Sequence, residues 1–121
     1  MKKQTIRAIH VNPFEKTIKE LQMPNDFDLM KSDYIKCHTA EVMDLGENVD
    51  AWFDEEFLLK DPSTQMFSLW AQSFELGGNV VLIGRERGTN SMADLPASVT
   101  LDEVCDMVRF QLAESSIPPD A

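Results

Sequence analysis

Four consecutive apolar residues, Val80-Val81-Leu82-Ile83, stand between Gly77-Gly78-Asn79 and Gly84. Three of the four are β-branched. A strand with one wet face alternates apolar with polar, so an unbroken run implies a strand buried on both faces. Gly77 and Gly78 suit a tight turn or bulge on entry, and Gly84 suits one on exit. The same glycines could cradle a ligand. However, Gly-Gly-Asn-x-x-x-x-Gly is neither the dinucleotide fingerprint nor a P-loop, because no Lys-Ser or Lys-Thr follows. Turn glycines are the commoner use, and the run is read as structural.

Around this strand the chain reads as a small α+β domain. Its 121 residues fit one domain, residues 1–121, with a core that needs no metal or disulfide staple. Apolar residues make up 43%, near the usual globular share, which argues against wholesale disorder. Cys37 and Cys105 lie far apart in sequence, too few for a disulfide scaffold, and read as buried, reduced thiols. The basic start Met1-Lys2-Lys3 is not followed by an uninterrupted apolar stretch. No apolar run approaches the roughly 20 residues of a membrane span. A cytoplasmic protein with no membrane partner is expected.

Residues 5–11 and 17–23 alternate as two strands joined by Asn12-Pro13-Phe14-Glu15-Lys16, a hairpin near a sheet edge. A short helix follows over 25–33, with Asn25 or Asp26 as cap. Tyr34 to Val42 reads as the next strand, 44–48 as a turn, and Val49 to Phe53 as a further strand. Phe57-Leu58-Leu59 is a candidate hairpin partner for the latter. Asp61-Pro62 can open a helix. Residues 65–70 fit helix or strand equally. Residues 85–96 form a polar loop. Thr100-Leu101-Asp102-Glu103 is a capping box, and Leu101, Val104, Cys105, Val108 and Leu112 form the stripe of a helix over 100–113. Residues 115–121 read as a frayed tail. The expected fold is α+β: a mainly antiparallel sheet, the 100–113 helix on one face, and a short helix near 25–33.

Catalytic chemistry is thinly supplied. The candidates for nucleophile and base are Cys37, Cys105, His10 and His38. On a strand, Cys37 and His38 would point to opposite faces, and Cys105 falls on a core stripe. There is no C-x-x-C, no H-x-x-x-H and no EF-hand pattern. No catalytic residue, cofactor or metal is assigned. The one enzymatic or ligand-binding alternative uses His10, His38 and the Gly77–Gly84 region.

Charge is distributed more informatively. The net charge of −10 should repel nucleic acid and anionic membrane. Glu41, Asp44, Glu47, Asp50, Asp54, Glu55, Glu56 and Asp61 are opposed in their stretch only by Lys60, whereas the first 36 residues hold seven of the 11 bases. Such a ridge either solvates a hairpin or offers a basic partner a complementary face, as a nucleic-acid mimic would. Trp52 and Phe53 within it favour a partner, since aromatics are enriched at interface cores. The candidate partner-binding residues are Asp50, Trp52, Asp54, Glu55 and Glu56. Phe110 joins them, because a regular helix would turn it away from the core and toward a homodimer, another partner or a cover formed by the Ile117-Pro118-Pro119 tail.

The order of these pieces carries a resemblance. A strand ending Ile9-His10-Val11-Asn12-Pro13 leads to a return strand, a short helix before Tyr34-Ile35, then Val49-Asp50-Ala51-Trp52-Phe53-Asp54-Glu55-Glu56 and Leu58-Leu59-Lys60. Gly78-Asn79-Val80-Val81-Leu82-Ile83-Gly84 and a helix follow. Over residues 5–113 this resembles a family of small proteins of phages, plasmids and their bacterial hosts, built on a domain of unknown function. Glu56-Phe57 stands where such proteins tend to have a glycine after the acidic pair. The resemblance implies a mobile-element or host-defence accessory setting and no reaction.

Overall fold

The computed structural model describes residues 4–55, 66–68, 75–86, 88–89 and 91–111, with 66–68, 75–76 and 109–111 described by their backbone alone. Strands β1 (Thr5–Asn12), β2 (Thr17–Pro24), β3 (Ala40–Gly46), β4 (Val49–Asp54), β7 (Val80–Arg85) and β8 (Met92–Ala93) form one sheet. Its order is β2-β1-β7-β4-β3, every pairing is antiparallel, and β8 extends β7 beside β1. Strands β5 (Met66–Ser68), β6 (Glu75–Gly77) and β9 (Arg109–Gln111) form a smaller antiparallel sheet, ordered β6-β5-β9. Gly78, at φ +81°, turns the chain from the small sheet into the large one. This mostly-sheet α+β fold also carries a short helix and a C-terminal helix.

The Val80–Ile83 run is the centre of the large sheet and is fully buried. Val80 and Leu82 face a cluster with Ile9, Val11, Ala51 and Phe53, closed by Val104 and Val108. Val81 and Ile83 face the opposite cluster, with Ile6, Ala8, Met23, Met30 and Ile35. Each face therefore has its own helical cover, as a two-sided apolar strand requires. Gly84 is no turn. It lies inside β7, where a Cβ would overlap the Asp94 carbonyl oxygen, so the strand needs a residue without one.

Other expectations meet a different geometry. Helix α1 (Phe27–Leu29) is capped by Asp26, whose Oδ1 accepts from Leu29 N at 3.2 Å, but it continues as a π-helical turn over Met30–Ile35. That turn ends at Lys36 in the left-handed region, φ +60°, with Lys36 N donating to Lys31 O at 2.8 Å. The strand expected from Tyr34 thus begins only at Ala40. Its turn is pushed on to Gly46-Glu47-Asn48, all at positive φ. Helix α2 (Leu101–Met107) starts on the predicted cap, Thr100 Oγ1 accepting from Glu103 N at 3.1 Å. It stops at Val108, which is extended, and β9 then pairs with β5. Residues 108–111 satisfy helical spacing, yet a sheet partner distant in sequence wins them. Within α2 the core side is Val104, with Leu101 half-buried, while Cys105 is exposed and Cys37 half-buried against the Val81 cluster, so neither thiol is fully buried. Finally, Met92–Ala93 makes a strand inside the expected polar loop. The hairpin partner at 57–59, the helix after Asp61 and the 115–121 tail lie outside the described residues.

Arg7 holds the connection into α2 to the sheet. Its Nη1 donates to Leu95 O at 3.1 Å and Pro96 O at 3.0 Å, and its Nη2 to Val99 O at 2.6 Å and Glu20 Oε1 at 2.9 Å. Its backbone N–H donates to Asp94 Oδ1 at 2.8 Å and its carbonyl accepts from Leu95 N at 2.9 Å. Around it lies an open groove of about 930 Å³, also lined by Gln4, Thr5 and Gln22.

Candidate functional site

The acidic stretch does not form one face. Strand β4 alternates Val49, Ala51 and Phe53 toward the α2 side with Asp50, Trp52 and Asp54 toward the other, and both acids are buried, at 5% and 4% exposure. Asp50 and Asp54 are therefore not part of an exposed acidic face, and reversing either charge would test the core. Glu41, Asp44, Glu47 and Glu55 remain exposed. Glu56 and Asp61 lie outside the described residues. Phe110 sits in β9 opposite Phe67, so the helical argument for its exposure no longer applies.

A charge group anchors one end of this surface. Arg85 Nη2 donates to Asp44 Oδ2 at 3.0 Å, and its Nη1 lies 3.5 Å from Asp50 Oδ1. Asp44 Oδ1 also accepts from Gly46 N at 2.8 Å. That backbone bond, then Arg85, holds the Asp44 carboxyl below its usual range. Burial pushes the Asp50 carboxyl above its usual value, with Asp44 adding to the rise and Arg85 opposing it. Burial dominates at Asp50 because the cation is shared with a better-placed acid.

Beside this group lies an apolar surface centred on Trp52. The Trp52 and Phe27 rings meet edge to face, centroids 5.1 Å apart, and Lys31 Nζ stands 6.0 Å from the Phe27 centroid. Val42 is directly opposite Trp52 on the edge strand β3. Phe27, Leu29 and Val42 are 38%, 40% and 42% exposed. Asp44, two residues from Val42 on the same strand face, and Asp28, between Phe27 and Leu29, are both exposed acids. Sequence reasoning found Trp52. It missed Phe27 and Val42, because only the fold brings residues 27, 42 and 52 together.

The two histidines are apart in environment. His38 is exposed on the connection into β3. His10 is half-buried on the opposite sheet face from α2, its ring edge to face with Tyr34 at 5.9 Å. Its Nε2 is 3.1 Å from the Tyr34 carbonyl and 3.2 Å from Asn79 Oδ1. A carbonyl only accepts, so Nε2 carries the proton. Burial holds the imidazole below its usual value of 6.5. The Asn79 and Tyr34 bonds and Glu15 act the other way, while Lys36 adds to the lowering. His10 thus ties β1 to the π-helical turn and to the entry of β7, with no nucleophile in hydrogen-bond reach among the described residues.

Among the described residues, no group of three His, Cys, Asp or Glu side chains is placed to hold a metal ion. No helix of these residues is long and apolar enough to cross a membrane. No family model, curated protein or solved structure matches the chain.

Proposed function

We propose that this protein is a non-enzymatic adaptor that docks a basic, apolar-anchored segment of another protein on the Phe27–Trp52–Val42 surface. The observation that carries the reading is the exposed apolar group around Trp52 with acids at its margin. A single exposed apolar side chain means little, but a contiguous aromatic and aliphatic group with a charged rim has the make-up of an interface core. The partner should be basic, because the chain carries −10 and the acids Asp28 and Asp44 flank the group. Nucleic acid is disfavoured by the same charge. An accessory role in a mobile-element or host-defence setting belongs to this reading through the resemblance alone.

The test uses a defined probe, a synthetic amphipathic helix of lysine and leucine. Its binding is followed by tryptophan emission in a Trp70→Phe background, so that Trp52 reports. Saturable binding that weakens with Val42→Lys and with added salt is expected, because rim charges are screened over about 8 Å at physiological ionic strength. No saturable change, or an affinity indifferent to Val42→Lys, would remove the reading. Val42 is on an exposed edge strand, where lysine is well tolerated, so the variant should fold.

A further inference from the structure

At the end of the large sheet remote from Arg85, β1 leaves at Asn12, β4 leaves at Asp54 and β7 enters after Gly78-Asn79. The π-helical turn closes this end with Ile35 and Lys36. Between them is a cavity of about 340 Å³, whose further lining residues are Phe14 and Glu15. That is the lower end of the size range of small-molecule sites, about 300–1,000 Å³.

The polar groups of this cavity are of both kinds. Asn12 Oδ1 is occupied, accepting from Phe14 N at 2.9 Å and Glu15 N at 3.1 Å. Asn79 Oδ1 is occupied by His10. An amide whose oxygen is engaged has its NH2 group left to donate. Asn12 and Asn79, each with an amide NH2 to donate, therefore line one cavity with Lys36. Asn79 is 5% exposed and so is a built part of the wall. Against these donors stand two carboxylates, Asp54, 4% exposed, and the exposed Glu15. Phe14, 53% exposed, supplies an apolar wall that the core does not use.

From this juxtaposition we infer that the cavity binds a free α-amino acid as its zwitterion. The carboxylate goes to Lys36 and the two asparagine donors, the ammonium to Asp54 and Glu15, and the side chain against Phe14. A phosphate or nucleotide is disfavoured, since the carboxylates outnumber the one lysine. A peptide terminus brings one of the two charges and leaves the other set unmatched. This site is separate from the Trp52 surface, and its test does not depend on that reading.

The experiment titrates the protein with L-phenylalanine, L-leucine and L-methionine, following backbone and asparagine side-chain amides by two-dimensional NMR. The N-acetyl and amide derivatives of each form the control arms. Saturable shifts at Lys36, Gly78, Asn79 and the Asn12 side chain are expected with at least one free amino acid below about 10 mM. Both blocked forms should bind at least about tenfold more weakly, as the loss of a charge-assisted contact implies. Lys36→Gly should weaken binding by a similar factor without lowering the melting temperature, because position 36 is exposed and left-handed, a conformation glycine adopts freely. Glu15→Gln, also at an exposed position, is the second variant and should weaken binding too. Absence of saturable shifts with all three amino acids would overturn the inference. So would equal affinity for a blocked form, or indifference to both variants.

Discussion

Arg7 shows how one charged side chain can fix the backbone of a loop whose Leu95 and Val99 are buried in the core. Three carbonyls of the 95–99 connection converge on its guanidinium, and Glu20 takes a remaining donor. Replacing it by methionine keeps much of the stem's packing and takes the guanidinium donor from Leu95 O and Val99 O, while Pro96 O keeps its bond from Val99 N at 2.9 Å. Arg7→Met should therefore cost about 2–4 kcal/mol, measured by urea unfolding, since bonds to a charged group contribute about 1.5–3 kcal/mol each and do not add fully. A loss under about 0.5 kcal/mol, the range of ordinary surface changes, would show that water replaces the clasp. His10 makes a second prediction at this scale. Its folded pKa lies below the unfolded 6.5, so the unfolded chain takes up the proton first. Its contribution to stability is complete above pH 6.5 and is lost as the pH falls from there through the lowered folded value. Glu15 and Lys36 act on it from opposite directions and do not reverse the sign. Stability of wild type minus that of His10→Gln should thus shrink on acidification below 6.5. A difference that stays constant from pH 7.5 to 5 would exclude the linkage.

Elements were legible where local chemistry and packing agree. The β1–β2 hairpin, the two-sided β7 strand and the Thr100 cap all follow from residues a few positions apart, and all stand in the structure. The misreadings have long-range causes. Nothing near Val108 announces that Arg109–Gln111 will pair with Met66–Ser68, and the helix stripe running on to Leu112 points the other way. Likewise Tyr34-Ile35 has strand character, but the wide π-helical turn retains both residues and spends its closing bond at Lys36. The site was legible only in part for the same reason: Trp52 was visible as an aromatic among acids, while Phe27 and Val42 become its neighbours through tertiary structure alone. Gly84 supplies the prediction at this scale. Any Cβ there meets the backbone of Asp94, which cannot rotate away as a side chain would. Gly84→Ala should push β8 off β7 and cost about 1–3 kcal/mol, the usual range for overpacking. Hydrogen exchange at Ala93 and at Glu86, whose N–H donates to Ser91 O at 2.9 Å, should rise more than at Val80 or Leu82. A uniform rise would mean the strain is absorbed by the sheet as a whole.

Among the described residues, β7 is the centre of the sheet that separates two apolar clusters, one on each face. Leu82 belongs to the cluster under α2, and Trp52 packs on the cluster under the π-helical turn. Neither cluster is closed without the central strands, so neither cover should persist once those strands separate. The chain is also of a size for which all-or-none unfolding is usual. Leu82→Ala removes apolar volume from one side only and should cost about 2–5 kcal/mol. The prediction is that this loss reaches the other side undiminished. In a Trp70→Phe background, Trp52 emission reports the face opposite the substitution, and far-UV circular dichroism reports the sheet. Both denaturation curves should move by the same midpoint and keep the same slope, since a slope change would mark a partly unfolded state. If the Trp52 curve stays at the wild-type midpoint while the dichroism curve moves, the π-helical side folds on its own. The Trp52 side would then keep its packing independently of the cluster under α2. Coincident curves instead mean that the Trp52 surface, the proposed docking surface, exists only while the buried Val80–Ile83 strand is paired on both edges.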